Sequence, residues 1–154
     1  MDITWVTERV ALGGGIWNAR NMEELAQAGV THVINMQIEF DDRPLAEPHG
    51  IRVLWNPTDD DFLPKAPELL KRGVDFALGA MAERGARVYV HCAAGVHRAP
   101  MMTLAVLCAL GWEMEAAMVR IETRRPTVDF ADVYVESVRR FLASRVESGP
   151  RNSE

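Results

Sequence analysis

The segment that decides the fold spans residues 87–100 and reads RVYVHCAAGVHRAP. Its first five residues are rich in β-forming side chains and predict a short, buried strand. Gly95 then permits a tight turn, and Pro100 is well placed in the first turn of a helix. The apolar run over 101–110 continues that helix with almost no polar face, which is typical of a helix buried in the core. The segment therefore predicts a strand, a glycine-containing loop and a helix.

The same alternation continues on both sides of this segment. Short apolar runs predict strands over 3–6, 10–12, 31–36 and 51–55, and amphipathic stretches predict helices over 22–28, 66–83, 114–123 and 131–145. Asn21 is the expected N-cap of the first helix, and an acidic loop holding Asp41 and Asp42 follows the strand 31–36. This order indicates one α/β domain, 1–147, with a mainly parallel central sheet and helices on both faces. Residues 148–154 are expected to form a disordered tail.

The composition and charge of the chain exclude several classes of protein. Of its 154 residues, 48% are hydrophobic and 25% charged, as in one folded domain. A net charge of −5 argues against a nucleic-acid partner, and the arginine pairs 124–125 and 139–140 are expected at solvated helix faces or ends. Two cysteines exclude a disulfide framework. Because no apolar run approaches the roughly 20 residues of a membrane span and no signal-peptide pattern is present, we expect a cytoplasmic protein without a membrane partner.

Cys92 and Arg98 are the residues of the deciding segment that indicate chemistry. Backbone N–H groups in a turn before a helix N-terminus form a concave anion site. A cysteine at the end of the strand would lie in the field of these amides, which favours the nucleophilic thiolate. Arg98, six residues later, can hold two oxygens of a phosphate with its planar guanidinium. The alternative for Cys92 is a buried, inert thiol, which is the interpretation we prefer for Cys108 within its apolar helix.

The loop HCAAGVHRA resembles the signature of the cysteine-dependent protein tyrosine phosphatase superfamily, which is His-Cys, five residues and Arg. The small size of the chain and its order of strands and helices are similar to the dual-specificity branch. The resemblance extends from the opening WVTERVALGG to the last helix, and the loop also resembles those of laforin and the plant glucan phosphatases. It implies a phosphomonoester hydrolase, in particular a protein tyrosine or dual-specificity phosphatase that needs no cofactor or metal.

The resemblance also implies a role for each residue of the loop. Cys92 would attack phosphorus and form a phosphocysteine, while the loop amides and Arg98 would hold the phosphoryl oxygens. The implied phosphate-binding residues are Ala93, Ala94, Gly95, Val96, His97 and Arg98. His91, directly before the nucleophile, is expected to support the thiolate, with a neutral strand histidine as the alternative.

The family further implies an aspartic acid on a separate loop, which protonates the leaving oxygen and later accepts a proton from water. The stretch WNPTDDDF, residues 55–62, follows a predicted strand and offers three candidates. Asp60 lies 32 positions before Cys92, a separation typical of the smaller members of the family, and is our first choice. Asp59 and Asp61 are the alternatives, and the aspartates without this role would solvate the loop or cap a helix.

Two positions of the loop depart from the family pattern. The family usually has Ser or Thr after the arginine, where the hydroxyl assists the departing thiolate, and this chain has Ala99. We therefore predict that the phosphocysteine breaks down slowly relative to its formation. His97 stands where the family often has a small residue, and it either contacts substrate or is exposed. His32 and His49 have no partners at metal-ligand spacing, so no metal is implied.

Three other functions are kept as alternatives. The first is a catalytically weak or inactive phosphate-binding module, which Ala99 supports. The second is sulfur transfer of the rhodanese kind, which has no need for the acidic loop. The third is a phosphatase for phosphoglucan or phosphoinositide, although a loop without lysine suits a highly anionic lipid poorly. We therefore expect a phosphoprotein as the partner. Trp17 is expected either at the mouth of the pocket or, as is more common for tryptophan, in the core.

Overall fold

The computed structural model describes residues 1–148, which form alternating strands and helices. The strands are β1 (Ile3–Trp5), β2 (Val10–Gly13), β3 (His32–Gln37), β4 (Arg52–Thr58) and β5 (Val88–His91). The helices are α1 (Ala19–Gln27), α2 (Arg43–Ala46), α3 (Pro67–Met81), α4 (Arg98–Ala109), α5 (Met114–Arg124) and α6 (Asp132–Ser148), and a 3₁₀ turn (Glu47–His49) follows α2. Ser148 still belongs to α6, and the rest of the tail predicted over 148–154 lies outside the described residues.

The five strands form one sheet in the order β1-β2-β5-β3-β4. Only β1 is antiparallel to its neighbour, and the other three pairs are parallel. β5 lies in the centre, where Val90 pairs with Leu12 on β2 and with Ile34 on β3. All four residues of β5 are buried, as expected for a parallel strand that is covered on both faces. The mainly parallel sheet predicted from the sequence is confirmed.

Helices cover both faces of this sheet, as predicted. Tyr89 and Val90 are neighbours on β5 and therefore point to opposite faces. Val90 belongs to the larger core, which α3, α4, α5 and α6 complete, whereas Tyr89 packs with Met22 and Leu25 of α1. α4 is buried at every position from its first residue through 107, which confirms the predicted core helix. In the described part of the chain, no helix has the length and apolar character to cross a bilayer.

Two local predictions are wrong. The N-cap of α1 is Asn18, whose side chain accepts a hydrogen bond from the N–H of Asn21, so the helix begins three residues earlier than predicted. The Asn21 side chain accepts in turn from the N–H of Trp17. The predicted loop between β3 and β4 contains α2 and the 3₁₀ turn, because prolines with a fixed φ stand in the first turn of each. Asp42, directly before α2, contacts His91 at the end of β5.

Candidate active site

The loop 92–97 joins the end of β5 to the start of α4 at the carboxyl edge of the sheet. Ligands bind at this edge of parallel α/β sheets, because the segments after neighbouring strands meet there. The segments that follow β2, β3 and β4 contain Gly15, Glu39 and Asp60, respectively. The predicted place of the loop, between a central strand and a buried helix, is confirmed.

Arg125 holds the outer side of this loop. Its Nη2 donates to the carbonyl oxygen of Ala94 (3.1 Å) and its Nε donates to that of Gly95 (2.9 Å). Asp2 accepts from both Nη atoms of the same guanidinium, at 2.9 and 2.7 Å. The Arg125 side chain is 7% exposed, so the prediction of a solvated arginine is wrong, although the residue does lie at the end of α5. Arg125 therefore connects the N-terminal segment of the chain to the loop 92–97.

Two backbone N–H groups hold the neighbouring carbonyls of the loop. The N–H of Gly15 donates to the carbonyl oxygen of Ala93, and that of Asp129 donates to the carbonyl oxygen of Val96, both at 3.0 Å. A trans peptide is planar, with its C=O and N–H on opposite sides. Because the carbonyls of residues 93–96 are held from outside, the N–H groups of residues 94–97 point to the inside of the loop. Such converging amides form a concave anion-binding surface.

Cys92 lies within this concave surface and is 3% exposed. Its Sγ accepts hydrogen bonds from the N–H groups of Gly95 (3.3 Å) and Ala99 (3.4 Å). These amides and the N-terminus of α4 favour negative charge on the sulfur. Gly95 has a φ of 72°, and a Cβ there would lie 2.5 Å from Arg125 Nη2 and 2.7 Å from the backbone of Gly13. The loop therefore requires glycine at this position.

Arg98 is the first residue of α4, and its side chain is 4% exposed. Its Nη1 and Nη2 donate to the two carboxylate oxygens of Glu39 at 2.8 and 2.9 Å, and Nη1 also donates to the carbonyl oxygen of Thr58 at 2.8 Å. Burial disfavours the guanidinium charge, but Glu39 and the nearby Cys92 outweigh burial and raise the pKa of Arg98. Hydrogen bonds from Arg98 lower the pKa of Glu39. Within the described residues the buried Nε–H has no partner, so this donor is available to a phosphoryl oxygen.

His91 is fully buried behind the loop and bonds to Asp42, which is also fully buried. The distance between His91 Nε2 and Asp42 Oδ2 is 2.8 Å, and Asn35 donates to the other carboxylate oxygen at 3.1 Å. The imidazole stacks on the ring of Tyr89. These contacts fix the imidazole next to Cys92. Asp42, the hydrogen-bond partner of His91, is a residue that the sequence analysis assigned only to an acidic loop.

The three consecutive aspartates lie in different surroundings. Asp60 Oδ2 is 2.9 Å from His97 Nδ1, and Asp60 Oδ1 accepts from the hydroxyl of Tyr134 at 2.9 Å. Asp60 also contributes to the raised pKa of Arg98, as a nearby negative charge. Asp61 pairs with Lys65 at 2.8 Å, and the side chain of Asp59 is exposed. Of the three candidates, the structure brings Asp60 to the loop 92–97.

His97 is the loop residue with the largest number of side-chain partners. Its Nδ1 contacts Asp60 (2.9 Å), its Nε2 contacts Asp129 (3.0 Å), and its ring packs edge-on against Phe62 at 4.9 Å between centroids. The sequence analysis offered substrate contact or exposure for His97. The structure instead gives both ring nitrogens carboxylate partners on two other loops.

Exposed apolar side chains flank the loop on two sides. Trp17 is 47% exposed and packs against Phe40, with ring centroids 5.8 Å apart. Phe62 is 49% exposed, and Ile38 and Leu63 are exposed as well. Clustered exposed apolar groups commonly mark a surface that contacts a ligand or a partner. They border a site whose other exposed groups are largely acidic.

Glu39, Asp42, Asp2 and Arg125 belong to the site, and the sequence analysis missed all four. Glu39 and Asp42 come shortly after β3, so their place beyond the end of a strand next to β5 was a usable signal. For Asp2 and Arg125 no local signal exists, since 123 residues separate the two. Only the packing of α5 beside the loop brings them together.

The chain resembles known proteins in sequence. Residues 15–142 match the family model described as the dual specificity phosphatase catalytic domain. The protein phosphatase Slingshot homolog 3 of Rattus norvegicus is 36% identical over 118 residues, which cover 75% of this chain and 17% of that protein. Laforin of Mus musculus is 30% identical over 126 residues, which cover 66% of this chain and 37% of that protein. The chain thus spans less than half the length of these curated relatives.

A solved structure resembles the chain over nearly its whole length. The crystal structure of PTPMT1 has a TM-score of 0.83 and 26% identity, and the match covers 97% of this chain and 99% of that chain. PTPMT1 has also been crystallised in complex with PI(5)P.

Proposed function

This chain belongs to the dual specificity phosphatase family of cysteine-based phosphatases, and we propose that it hydrolyses phosphomonoesters of proteins through a phosphocysteine on Cys92. The observation that carries this proposal is the orientation of the loop peptides. Four carbonyls held from outside turn four N–H groups inward, around a buried sulfur that already accepts two amide hydrogen bonds. Such an arrangement binds a tetrahedral dianion and places it against a nucleophile.

In the first step, the thiolate of Cys92 attacks phosphorus and the bond from phosphorus to the leaving oxygen breaks. The loop amides of residues 94–97 and the guanidinium of Arg98 bind the three other phosphoryl oxygens. Asp60 donates its proton to the leaving oxygen, which departs as an alcohol or phenol. The contacts of Asp60 with the loop support this role for Asp60 over its two neighbours.

In the second step, water attacks phosphorus and the bond between phosphorus and sulfur breaks. Asp60, now ionised, accepts a proton from the attacking water, so that inorganic phosphate and the thiolate are released. His91 supports the thiolate from behind through its fixed contact with Asp42. Ala99 has no side-chain hydroxyl, so its backbone N–H is the group of that residue that donates to the sulfur during this step.

The surroundings of the loop favour a phosphoprotein over a polyanionic lipid. Ala93, Ala94 and Val96 bring no positive charge for further phosphates of a headgroup. Exposed carboxylates surround the loop instead, on Asp59 and Asp129, and they attract basic side chains near a phosphorylated residue. Trp17 and Phe62 offer apolar contacts to the residue that carries the phosphate. The complex of PTPMT1 with PI(5)P makes a monophosphorylated inositol lipid the second candidate substrate.

The test of catalysis is hydrolysis of p-nitrophenyl phosphate between about pH 5 and 8, with vanadate as inhibitor. Cys92→Ser is expected to abolish turnover without added metal. Asp60→Asn is expected to lower kcat by about a hundredfold and to remove the alkaline limb of the pH profile, because that limb reports ionisation of the acid. Asp59→Asn and Asp61→Asn are the matched controls. If the wild-type protein binds vanadate but has no activity, the chain is a phosphate-binding module and not an enzyme. If Asp60→Asn is as active as the wild type, a neighbouring aspartate is the general acid.

The test of substrate class compares phosphotyrosine and phosphoserine peptides with basic or acidic flanking residues, PI(5)P in neutral vesicles, and phosphorylated amylopectin. We expect the highest kcat/KM for peptides with basic flanks, and we expect added salt to reduce that preference. A higher kcat/KM for PI(5)P or for amylopectin would reject the protein assignment while leaving the phosphocysteine mechanism intact.

A further inference from the structure

The side chains of Asp129, His97 and Asp60 form a continuous hydrogen-bonded line across three loops. Asp129 lies between α5 and α6, His97 lies in the phosphate-binding loop, and Asp60 lies between β4 and α3. The two contacts are 3.0 Å and 2.9 Å long. The exposed fraction of the side chain is 67% for Asp129, 21% for His97 and 31% for Asp60. The line therefore begins at a solvent-exposed carboxylate and passes through a half-buried imidazole of the phosphate-binding loop to Asp60.

Tyr134 occupies the other carboxylate oxygen of Asp60. The N–H of Phe62 donates to the Tyr134 hydroxyl oxygen at 3.0 Å, and the hydroxyl proton is donated to Asp60 Oδ1 at 2.9 Å. Burial, together with the nearby Asp60, raises the pKa of Tyr134 to about 12, so this donor keeps its proton at neutral pH. The proton that Asp60 uses as an acid is therefore shared at Oδ2, on the side of His97.

The bonding pattern leaves one mobile proton between Asp60 and His97. Ionised carboxylate oxygens only accept hydrogen bonds, so the Nε2 that faces Asp129 carries a hydrogen. The Oδ2···Nδ1 contact then holds one proton, on the carboxyl oxygen or on the imidazole nitrogen. Moving it changes neither the total charge of the three groups nor their number of protons. Asp60 is therefore protonated when this proton lies on Oδ2 and ionised when it lies on Nδ1, without exchange of a proton with the solvent.

We propose that His97 is a positioning residue that orients Asp60 and exchanges a proton with it between the two steps of the reaction, and that Asp129 fixes the ring of His97. This inference rests on the proposed function. The one shared proton passes from Nδ1 to Oδ2, and Asp60 gives it to the leaving oxygen, so that Asp60 is ionised and Nδ1 carries no hydrogen. When Asp60 then accepts a proton from the attacking water, that proton is shared again between Oδ2 and Nδ1. The three side chains therefore end each cycle with the protons they had at its start.

A purely structural role for His97 makes a different prediction. Help with proton transfer matters most when the leaving group is a poor one, whereas loss of loop structure slows every substrate by the same factor. His97→Asn is the informative variant, because its amide can donate to Asp60 from the place of Nδ1 but cannot take up a proton. Asp129→Asn removes the carboxylate partner of Nε2 and leaves the loop itself unchanged.

The experiment measures kcat/KM for p-nitrophenyl phosphate, a good leaving group, and for phenyl phosphate, a poor one. We expect His97→Asn to reduce kcat/KM about tenfold more for phenyl phosphate, and Asp129→Asn about threefold more. In the Asp60→Asn background, His97→Asn should cause no further loss, because the two residues act as a unit. Glu122→Gln, which removes an exposed carboxylate on α5, is the control and should change neither value.

Three outcomes decide between the hypotheses. Equal losses for both substrates, or effects of Asp60→Asn and His97→Asn that multiply, would reject the role of His97 and leave the phosphatase assignment standing. Turnover that survives Cys92→Ser would reject the proposed function itself. Vanadate binding by His97→Asn with wild-type affinity would show that the loop keeps its structure, so a selective loss for phenyl phosphate would then support the exchange of protons.

Discussion

The Nε of Arg125 lies 2.9 Å from the carbonyl oxygen of Gly95, and this contact is made on the outer surface of the phosphate-binding loop. Arg125 therefore does not contact a bound phosphate through this donor. It fixes the peptide plane between Gly95 and Val96, whose opposite side presents the N–H of Val96 to the pocket. The same guanidinium holds the plane that presents the N–H of Gly95 to the sulfur of Cys92. One arginine far from Cys92 in the sequence thus orients two of the four inward amides.

Arg125→Ala should lower both stability and activity. Removing the buried guanidinium leaves two loop carbonyls without their donors, and we expect a loss of about 3 kcal/mol in the free energy of unfolding. Because two inward amides lose their orientation, kcat/KM for p-nitrophenyl phosphate should fall at least about tenfold. Arg124→Ala is the matched control, since Arg124 is exposed and contacts only the carbonyl of Trp5 among the hydrogen bonds described. Urea unfolding and initial rates measure the two effects, and equal behaviour of both variants would contradict the role of Arg125.

The ion pair between Asp2 and Arg125 should make stability depend on pH in the acid range. Hydrogen bonds from Arg125 lower the pKa of Asp2 below its ordinary value of 3.8. A carboxylate with a lowered pKa stabilises the fold fully above its unfolded value, and the stabilisation is lost as the pH falls through the folded value. The difference in Tm between wild type and Asp2→Asn should therefore be constant above about pH 5 and shrink below 3.8. A difference in Tm that grows as the pH falls would contradict this prediction.

Glu39→Gln should impair the orientation of Arg98. The carboxylate of Glu39 receives two parallel N–H groups from Arg98, and a glutamine can accept only one of them. We expect kcat/KM for p-nitrophenyl phosphate to fall about tenfold, with weaker inhibition by vanadate. Asp41→Asn controls for the loss of a negative charge, because Asp41 pairs with Arg43 on the same segment. The prediction fails when both variants lose activity equally.

Ala99→Ser should speed up the second step of the reaction. Ala99 is fully buried and its N–H already lies 3.4 Å from the sulfur of Cys92, so a serine hydroxyl there is close enough to donate to the departing thiolate. Wild type is expected to show a rapid burst of p-nitrophenol followed by a slower steady rate. Ala99→Ser should reduce the burst and raise the steady rate about fivefold, which stopped-flow absorbance measures. The absence of a burst in wild type together with no gain in the variant would reject slow breakdown of the phosphocysteine.

Local patterns were sufficient for the architecture and for the loop. Residues 88–90 are apolar on both faces, and such a run becomes a central parallel strand when helices flank it. The spacing of Cys92 and Arg98, with Gly95 between them, predicted a loop between strand and helix. These predictions succeeded because each depends on residues that are close together in the sequence.

The details of the site depended on contacts that no local pattern contains. Three neighbouring aspartates look alike in the sequence, and only the packing of α6 and the phosphate-binding loop gives Asp60 its two partners. Arg125 resembles any arginine at a helix end until α5 packs beside the loop and Asp2 pairs with it. The sequence by itself determined the α/β architecture and the strand, loop and helix that carry Cys92 and Arg98, because backbone preferences and apolar periodicity are local. Tertiary structure alone decided which charged groups meet, since the energy of a charge depends on burial and on partners that the fold brings from distant parts of the chain.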